Sequence, residues 1–418
     1  MPATATVTRM TAGSTGVALV LLGALAVPAD WSPAAIAATP TCQGVPATIV
    51  GTSGPDTIVG TKGPDVIVAG PGDDVIDARA GDDLVCAGMG SDRVDGGFGS
   101  DRIYGQQDRL GSDAGGSFLV GDVISGGPGD DFLVGGQDNR RADARRLHDT
   151  VSYADAAGAV IVDLSSENPL ASGEGTDRLR LGTHPGVIGS VHNDTITGSD
   201  GPDQVDGGDG GDLIKGRGGN DTLTGESRKA TKRGADTLVG GPGNDLLGSY
   251  TGRDRIEGGG GRDFVEAFSD RPAVVEAGGG ADHVVHHVLA RSGARNVGGA
   301  GRDVLVSLGK RLEGRQPRAS FHVDLRSGTT RTSTGARGSV GGFEEHRLVG
   351  NIAWEFHGTP GPDRVWALTG GPLRARTLGG DDWLGGSPRN DFLHGGDGTD
   401  TAATGGGTDT CREVERGC

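Results

Sequence analysis

The chain has 418 residues, 82 of them glycine, and carries 56 acidic against 39 basic side chains for a formal net charge of −17. Only 34% of its residues are hydrophobic and 4% aromatic, which excludes an ordinary core of large side chains and leaves either disorder or a stabiliser other than the core. So strong an acidic excess argues against nucleic acid and anionic membrane as partners.

Residues 1–37 read as an export signal. Arg9 is the only charge of the first stretch, and the apolar run GVALVLLGALAV follows from Gly16 to Val27. That run is too short to span a bilayer. Small residues offer cleavage after Ala29 or after Ala37, and the second is preferred. No later run is long and apolar enough to cross a membrane, so a secreted protein that does not span the membrane is expected. Residues 38–50 form an N-terminal cap. The four cysteines, Cys42, Cys86, Cys411 and Cys418, are even in number beyond an export signal and are expected to form disulfides. Three pairings are possible. The short separation of Cys411 and Cys418 pairs them and leaves Cys42 with Cys86.

From Gly51 to Tyr104 the chain repeats every nine residues: GTSGPDTIV, GTKGPDVIV, AGPGDDVID, ARAGDDLVC, AGMGSDRVD and GGFGSDRIY. Position four is always glycine and position six always aspartate (Asp56, Asp65, Asp74, Asp83, Asp92, Asp101). Position eight is always aliphatic. Residues 51–139 make a first block, which resumes with GGPGDDFLV around Asp131. Residues 140–188 are an irregular joining segment. A second block, 189–306, carries Asp194, Asp203, Asp212, Asp221, Asp236, Asp245, Asp254 and Asp263 and is degenerate after 266. A second joining segment, 307–357, precedes a third block, 358–410, with Asp382, Asp391, Asp400 and Asp409. The tail 411–418 is bracketed by cysteines. Asp122 has Val120 two residues before it where glycine is expected, the approach to Asp282 and Asp303 breaks the nine-residue phase, and Glu355 takes the aspartate position of its unit. Calcium binding is therefore not expected there, and 267–357 is expected to cover the roll rather than extend it.

Each unit reads as six turn residues and three strand residues. Glycine at positions one, two and four permits positive φ and tight reversal. The x-U-x triplet turns one aliphatic side chain inward. Two units make one coil of eighteen residues, and coils stack as parallel strands about 4.8 Å apart. The predicted fold is all-β: a parallel β-roll, or β-solenoid, in two or three stacked blocks joined by irregular β segments. Stacking then brings Asp56, Asp74 and Asp92 together on one edge and Asp65, Asp83 and Asp101 on the other. Two carboxylates about 5 Å apart repel by about 1 kcal/mol in water and by several-fold more in the lower effective dielectric of a protein. A divalent ion between turns reverses that sign. All-oxygen ligands placed flexibly suit Ca²⁺ better than Mg²⁺ or Zn²⁺.

The units resemble GGxGxDxUx, the hemolysin-type calcium-binding repeat of RTX proteins. The joining segments, HDTVSYADAAGAVIVDLSSENP with its continuation and the degenerate SFHVDLRSGTT copy, resemble the irregular segment that links β-roll blocks in such proteins. The resemblance implies several Ca²⁺ ions, each between the turns of neighbouring coils and held by their aspartates and turn carbonyls. The implied pairs are Asp56/Asp74, Asp65/Asp83, Asp74/Asp92, Asp83/Asp101, Asp194/Asp212, Asp203/Asp221, Asp236/Asp254, Asp245/Asp263, Asp382/Asp400 and Asp391/Asp409.

Catalytic signals are weak. The chain has neither H-E-x-x-H nor a convincing G-x-S-x-G. His283, His286 and His287 in DHVVHHV read as packed or exposed. The basic groups Arg140, Arg141, Arg145, Arg146 and Arg228, Lys229, Lys232, Arg233 read as solvated insertions, and Trp354, Trp366 and Trp383 as a plug of the third block's core. The expectation is a non-enzymatic, secreted calcium-binding protein that folds on meeting extracellular Ca²⁺. A secreted hydrolase or polysaccharide-modifying enzyme using the roll as carrier, with Asp149, Tyr153 and Asp163 as its nearest acid/base candidates, and a calcium-stiffened adhesin or matrix protein with a glycan or other cell-surface partner are the alternatives.

Overall fold

A computed structural model describes residues 39–107, 121–136, 149–226, 234–268, 273–287, 294–309, 320–333 and 335–418. The expected export signal and both basic clusters lie outside these residues. Pro40–Cys418 form one compact unit, and its regular elements among the described residues are all strands.

The x-U-x triplets form the strands, and alternate triplets belong to opposite sheets. Thr57–Val59, Val75–Asp77 and Arg93–Asp95 open one parallel sheet, with Ile58, Ile76 and Val94 in register. Val66–Pro71, Leu84–Met89 and Arg102–Gln107 belong to the other, with Ile67, Val85 and Ile103 in register. Those inward aliphatics are almost fully buried, from 0% to 7% exposed. One inward side chain per triplet thus builds a core one residue thick, and coil-to-coil hydrogen bonds such as Val75 N–H to Asp56 O at 2.9 Å tie the stack.

The first sheet runs through 16 strands, from Thr57–Val59 to Thr401–Ala403, without a break in order. The second is interrupted twice by an antiparallel meander. In the first, Thr176–Arg180 joins the ladder beside Phe132–Gly136, Leu170–Ser172 returns, and Ile161–Asp163 meets Thr195–Thr197. In the second, Arg337–Gly341 pairs with Arg295–Gly301, Thr329–Thr332 returns, and Ser320–Asp324 meets Ala353–His357. These meanders fall within 140–188 and 307–357. They add strands to one sheet and leave the other continuous, so the roll is an open ladder rather than a barrel.

The expected cover over 267–357 is instead more roll. Val274–Gly280, His283–His287, Arg295–Gly301 and Val304–Gly309 continue both ladders in parallel. The reason is local. The units there lose the regular spacing but keep Gly280-x-Asp282 and Gly301-x-Asp303, and Val275, Val284 and Leu305 still supply the buried inward side chain. Strand pairing follows the triplet. Aromatic side chains enlarge the core further on, where Trp354 and Phe356 are among the largest fully buried residues. The disulfides join Cys42 to Cys86 and Cys411 to Cys418, as the spacing suggested. The first ties the Thr41–Cys42 and Val45–Pro46 hairpin to the second coil. The second folds the tail back so that Ala402 N–H reaches Arg416 O at 2.8 Å.

Candidate calcium-binding turns

Each aspartate precedes its strand by one residue, and the stack converts that position into two carboxylate ladders. On one edge the backbone N–H of Asp56 donates to Asp74 Oδ1 at 2.8 Å, that of Asp74 to Asp92 at 2.8 Å, and that of Asp92 to Asp122 at 2.9 Å. On the other, Asp65 donates to Asp83, Asp83 to Asp101 and Asp101 to Asp131 at 2.7–2.8 Å. The pattern returns as Asp194–Asp212–Asp236–Asp254 and as Asp203–Asp221–Asp245–Asp263. It closes with Asp382 to Asp400 and Asp391 to Asp409. One oxygen of each downstream carboxylate is thereby fixed, and the other is aimed by the same geometry.

That second oxygen has two fates. In turns that begin Gly-Ser or Gly-Thr it is held within its own turn. Thr52, Thr61, Ser190, Ser199, Thr359 and Ser387 donate their backbone N–H to Oδ2 of Asp56, Asp65, Asp194, Asp203, Asp363 and Asp391. In the turns that follow, Oδ2 of Asp74, Asp83, Asp92, Asp101, Asp131, Asp212, Asp221, Asp236, Asp245, Asp263, Asp382 and Asp400 is buried and accepts no hydrogen bond. Burial without a partner costs an anionic oxygen heavily. It raises the carboxyls of Asp92, Asp131, Asp212 and Asp221 to about 7, partly offset by the donated N–H and reinforced by neighbouring carboxylates.

The residues present fit a hard cation. A Cβ placed on Gly207 would stand 2.5 Å from Asp212 Oδ2 and 2.5 Å from the Gly225 carbonyl oxygen of the next coil. The same pair of oxygens converges beside Gly240, from Asp245 Oδ2 at 2.3 Å and Gly258 O at 2.5 Å. An anionic and a carbonyl oxygen facing one small space are ligands of the kind Ca²⁺ takes at 2.3–2.6 Å. Position-one glycines such as Gly207 serve this space rather than positive φ. Positive φ occurs at positions two and four, as at Gly208 (97°) and Gly210 (140°).

Comparison with protein families finds the RTX calcium-binding nonapeptide repeat at residues 50–85, 87–109, 121–141, 188–223, 232–266 and 377–411. The chain carries RTX calcium-binding repeats. A search of curated proteins gave no match. The RTX repeats bind calcium, and the matched stretches contain every aspartate singled out from the spacing.

Several acidic residues beyond those singled out from the sequence join the same ladders. Asp122 accepts from Asp92 and donates to Asp149. Asp131 donates to Asp177, where the buried Tyr153 hydroxyl supplies the second hydrogen bond at 2.9 Å. Asp263 donates to Asp282, Asp282 to Asp303, and Asp303 to Glu344. Asp363 donates to Asp382, and Asp400 to Glu415. The missing glycine before Asp122 and the broken phase before Asp282 and Asp303 therefore do not remove them from the ladder. What they share with the regular units is the triplet Asp-x-aliphatic, and Asp282 and Asp303 also keep Gly280 and Gly301 two residues before them.

Other expectations resolve individually. Glu355 stands on the outer face of its strand, because Trp354 and Phe356 take the inward positions. Asp149, Tyr153 and Asp163 perform three separate tasks: a ladder step, the plug on Asp177, and a turn that accepts Ser165 N–H at 2.9 Å. His283 stacks on Phe264, His287 meets Phe268 edge-on, and His286 is buried, which lowers its pKa to about 4. Of the three tryptophans expected to plug the third block, only Trp354 is in the core. Trp366 and Trp383 stack on the outer face, with ring centres 5.4 Å apart.

Proposed function

We propose that this RTX-repeat chain is a secreted, non-enzymatic calcium-binding protein whose coils fold as extracellular Ca²⁺ enters the turns. The observation that carries the reading is the row of buried, unpartnered Oδ2 atoms facing turn carbonyls. Asp74, Asp83, Asp92, Asp101 and Asp131 would hold ions in the first stretch, Asp212, Asp221, Asp236, Asp245 and Asp263 in the second, and Asp382 and Asp400 in the last. The ion supplies the positive charge that lets stacked carboxylates remain ionised. Because the unfolded chain has no such array, binding energy becomes folding energy. The N-terminal apolar segment and the oxidised cysteines favour a secreted chain. The separate structural tasks of Asp149, Tyr153 and Asp163 favour a non-catalytic one.

The test is calcium stoichiometry by native mass spectrometry alongside circular dichroism in calcium and in chelator. We expect many bound ions and a β signal that collapses without them. Asp83→Asn is expected to raise the calcium concentration needed for folding at least several-fold. Asp65→Asn, whose Oδ2 partner is its own Thr61, should raise it less. A β signal indifferent to chelation would end the proposal.

A further inference from the structure

The second meander brings together a group of side chains that the calcium ladder does not use. His322 and Asp324 alternate along the outer face of Ser320–Asp324, and Glu355 and His357 along that of Ala353–His357. The register sets His322 beside Glu355 and Asp324 beside His357, so two imidazoles and two carboxylates occupy the corners of one four-residue grid. Ligand atoms of His322, Asp324 and His357 lie within 4.8 Å of one another. Glu355 spans the two rings, with Oε2 3.1 Å from His322 Nδ1 and Oε1 3.6 Å from His357 Nε2.

The roll itself does not demand these residues. The first meander has the same strand order and keeps the corresponding aspartate. Asp163 accepts Ser165 N–H just as Asp324 accepts Arg326 N–H, each bond closing a turn. At the other three corners of that grid stand Ile161, Thr195 and Thr197. Two histidines and a glutamate have thus replaced an apolar residue and two threonines on an otherwise equivalent surface. The neighbouring cations leave the grid accessible. Arg374 and Arg376, in register with Glu355 and His357, place their guanidinium groups over the Phe392 ring at 5.2 and 5.5 Å. Arg331 stands in register with His322 on the antiparallel side, where two carboxylates outnumber it.

We propose that His322, Asp324 and His357 bind a first-row transition-metal ion of the Zn²⁺ class, with Glu355 orienting the two imidazoles from outside the shell. Imidazole nitrogen selects such ions over Ca²⁺, whose ligands are oxygens. A carboxylate that fixes ligating imidazoles is the usual outer partner of such sites. The present spread of ligand atoms is wider than the roughly 3.5 Å edge of a filled tetrahedral zinc shell. All four side chains are half-exposed, so rotation about their own χ angles closes the difference. The site stands apart from the calcium turns and does not depend on how those are read.

The experiment is a Zn²⁺ titration, by calorimetry, of the untagged full chain folded in saturating Ca²⁺. We expect one equivalent bound at micromolar or tighter affinity and undiminished by excess Ca²⁺. His322→Ala and His357→Ala should each weaken it at least tenfold, with the calcium-dependent β signal unchanged. The double variant His283→Ala/His287→Ala should bind as the parent does. No saturable binding, binding indifferent to His322→Ala and His357→Ala, or binding lost with His283 and His287 would each overturn the assignment.

Discussion

The coils of 189–266 and those of 267–357 share the same two sheets and differ in what stands at their turns. In the first stretch both edges carry carboxylates: Asp194, Asp212, Asp236 and Asp254 on one, Asp203, Asp221, Asp245 and Asp263 on the other. In the second, one edge continues through Asp282, Asp303 and Glu344. The other continues through Ala273, Ala294 and Gly338, yet the backbone bonds persist, from Arg295 N–H to Ala273 O at 2.9 Å and from Ser339 N–H to Ala294 O at 2.8 Å. The coil shape therefore does not require a carboxylate at every turn. Where one edge lacks them, Phe321, Phe343, Trp354 and Phe356 are buried, and apolar burial supplies stabilisation there that the proposed ions would supply elsewhere.

The largest expected effect follows directly. In chelator, amide hydrogen exchange is expected to lose most protection in 51–104 and 189–266 and to retain a measurable part in 320–357. Uniform loss across the chain would break the contrast. The next effect sharpens it from the other side. Trp354→Ala removes a fully buried side chain and is expected to cost about 3–5 kcal/mol. That loss should appear as residual protection abolished in 320–357 under chelation, while exchange in 51–104 stays as it was.

The third effect is one of pH. Without metal, burial holds Asp92, Asp131, Asp212 and Asp221 at about 7 and Asp101, Asp236 and Asp263 at about 6, whereas an unfolded aspartate titrates near 3.9. A raised folded pKa gives stability that is complete below the unfolded value and is lost as pH rises through the folded one. Metal-free coils are thus expected to melt at higher temperature at pH 4.5 than at pH 7.5. In calcium the order reverses, because protons compete with the ion for the same oxygens. Thermal melts in chelator that improve from pH 4.5 to 7.5 would contradict this. The edge of Ala273, Ala294 and Gly338 has no carboxylate to titrate, so its neighbourhood should respond least.

Much of this architecture is readable in the sequence, and the limits are specific. The eighteen-residue coil, the two edges and both disulfides follow from the phase of Asp56 to Asp101 and from cysteine spacing. The continuation through 267–309 is obscured because the period is no longer eighteen and Ala273 and Ala294 take the aspartate position on one edge, while the ladder is maintained by the inward residue of each triplet. Gly280-Ala281-Asp282 and Gly301-Arg302-Asp303 keep the turn signal, but Asp282 lies 19 residues beyond Asp263 and Asp303 lies 21 beyond Asp282. Asp177 is legible only with the meander known, since its ladder neighbour Asp131 is 46 residues away. The His322, Asp324, Glu355 and His357 grid depends on a register across strands that no periodicity in the sequence reports.

The Gly-Ser and Gly-Thr turns carry a consequence for how such a chain can lengthen. Every run of carboxylates starts on a turn whose own hydroxyl residue closes it. Several stop on a built-in plug, such as Tyr153 against Asp177 or Glu415 against Asp400. A whole run can therefore be duplicated, deleted or spliced in beside another without stranding an anion at the seam. Growth by complete cassettes costs little at the joints, whereas cutting a run in its middle would expose a raw, charged face.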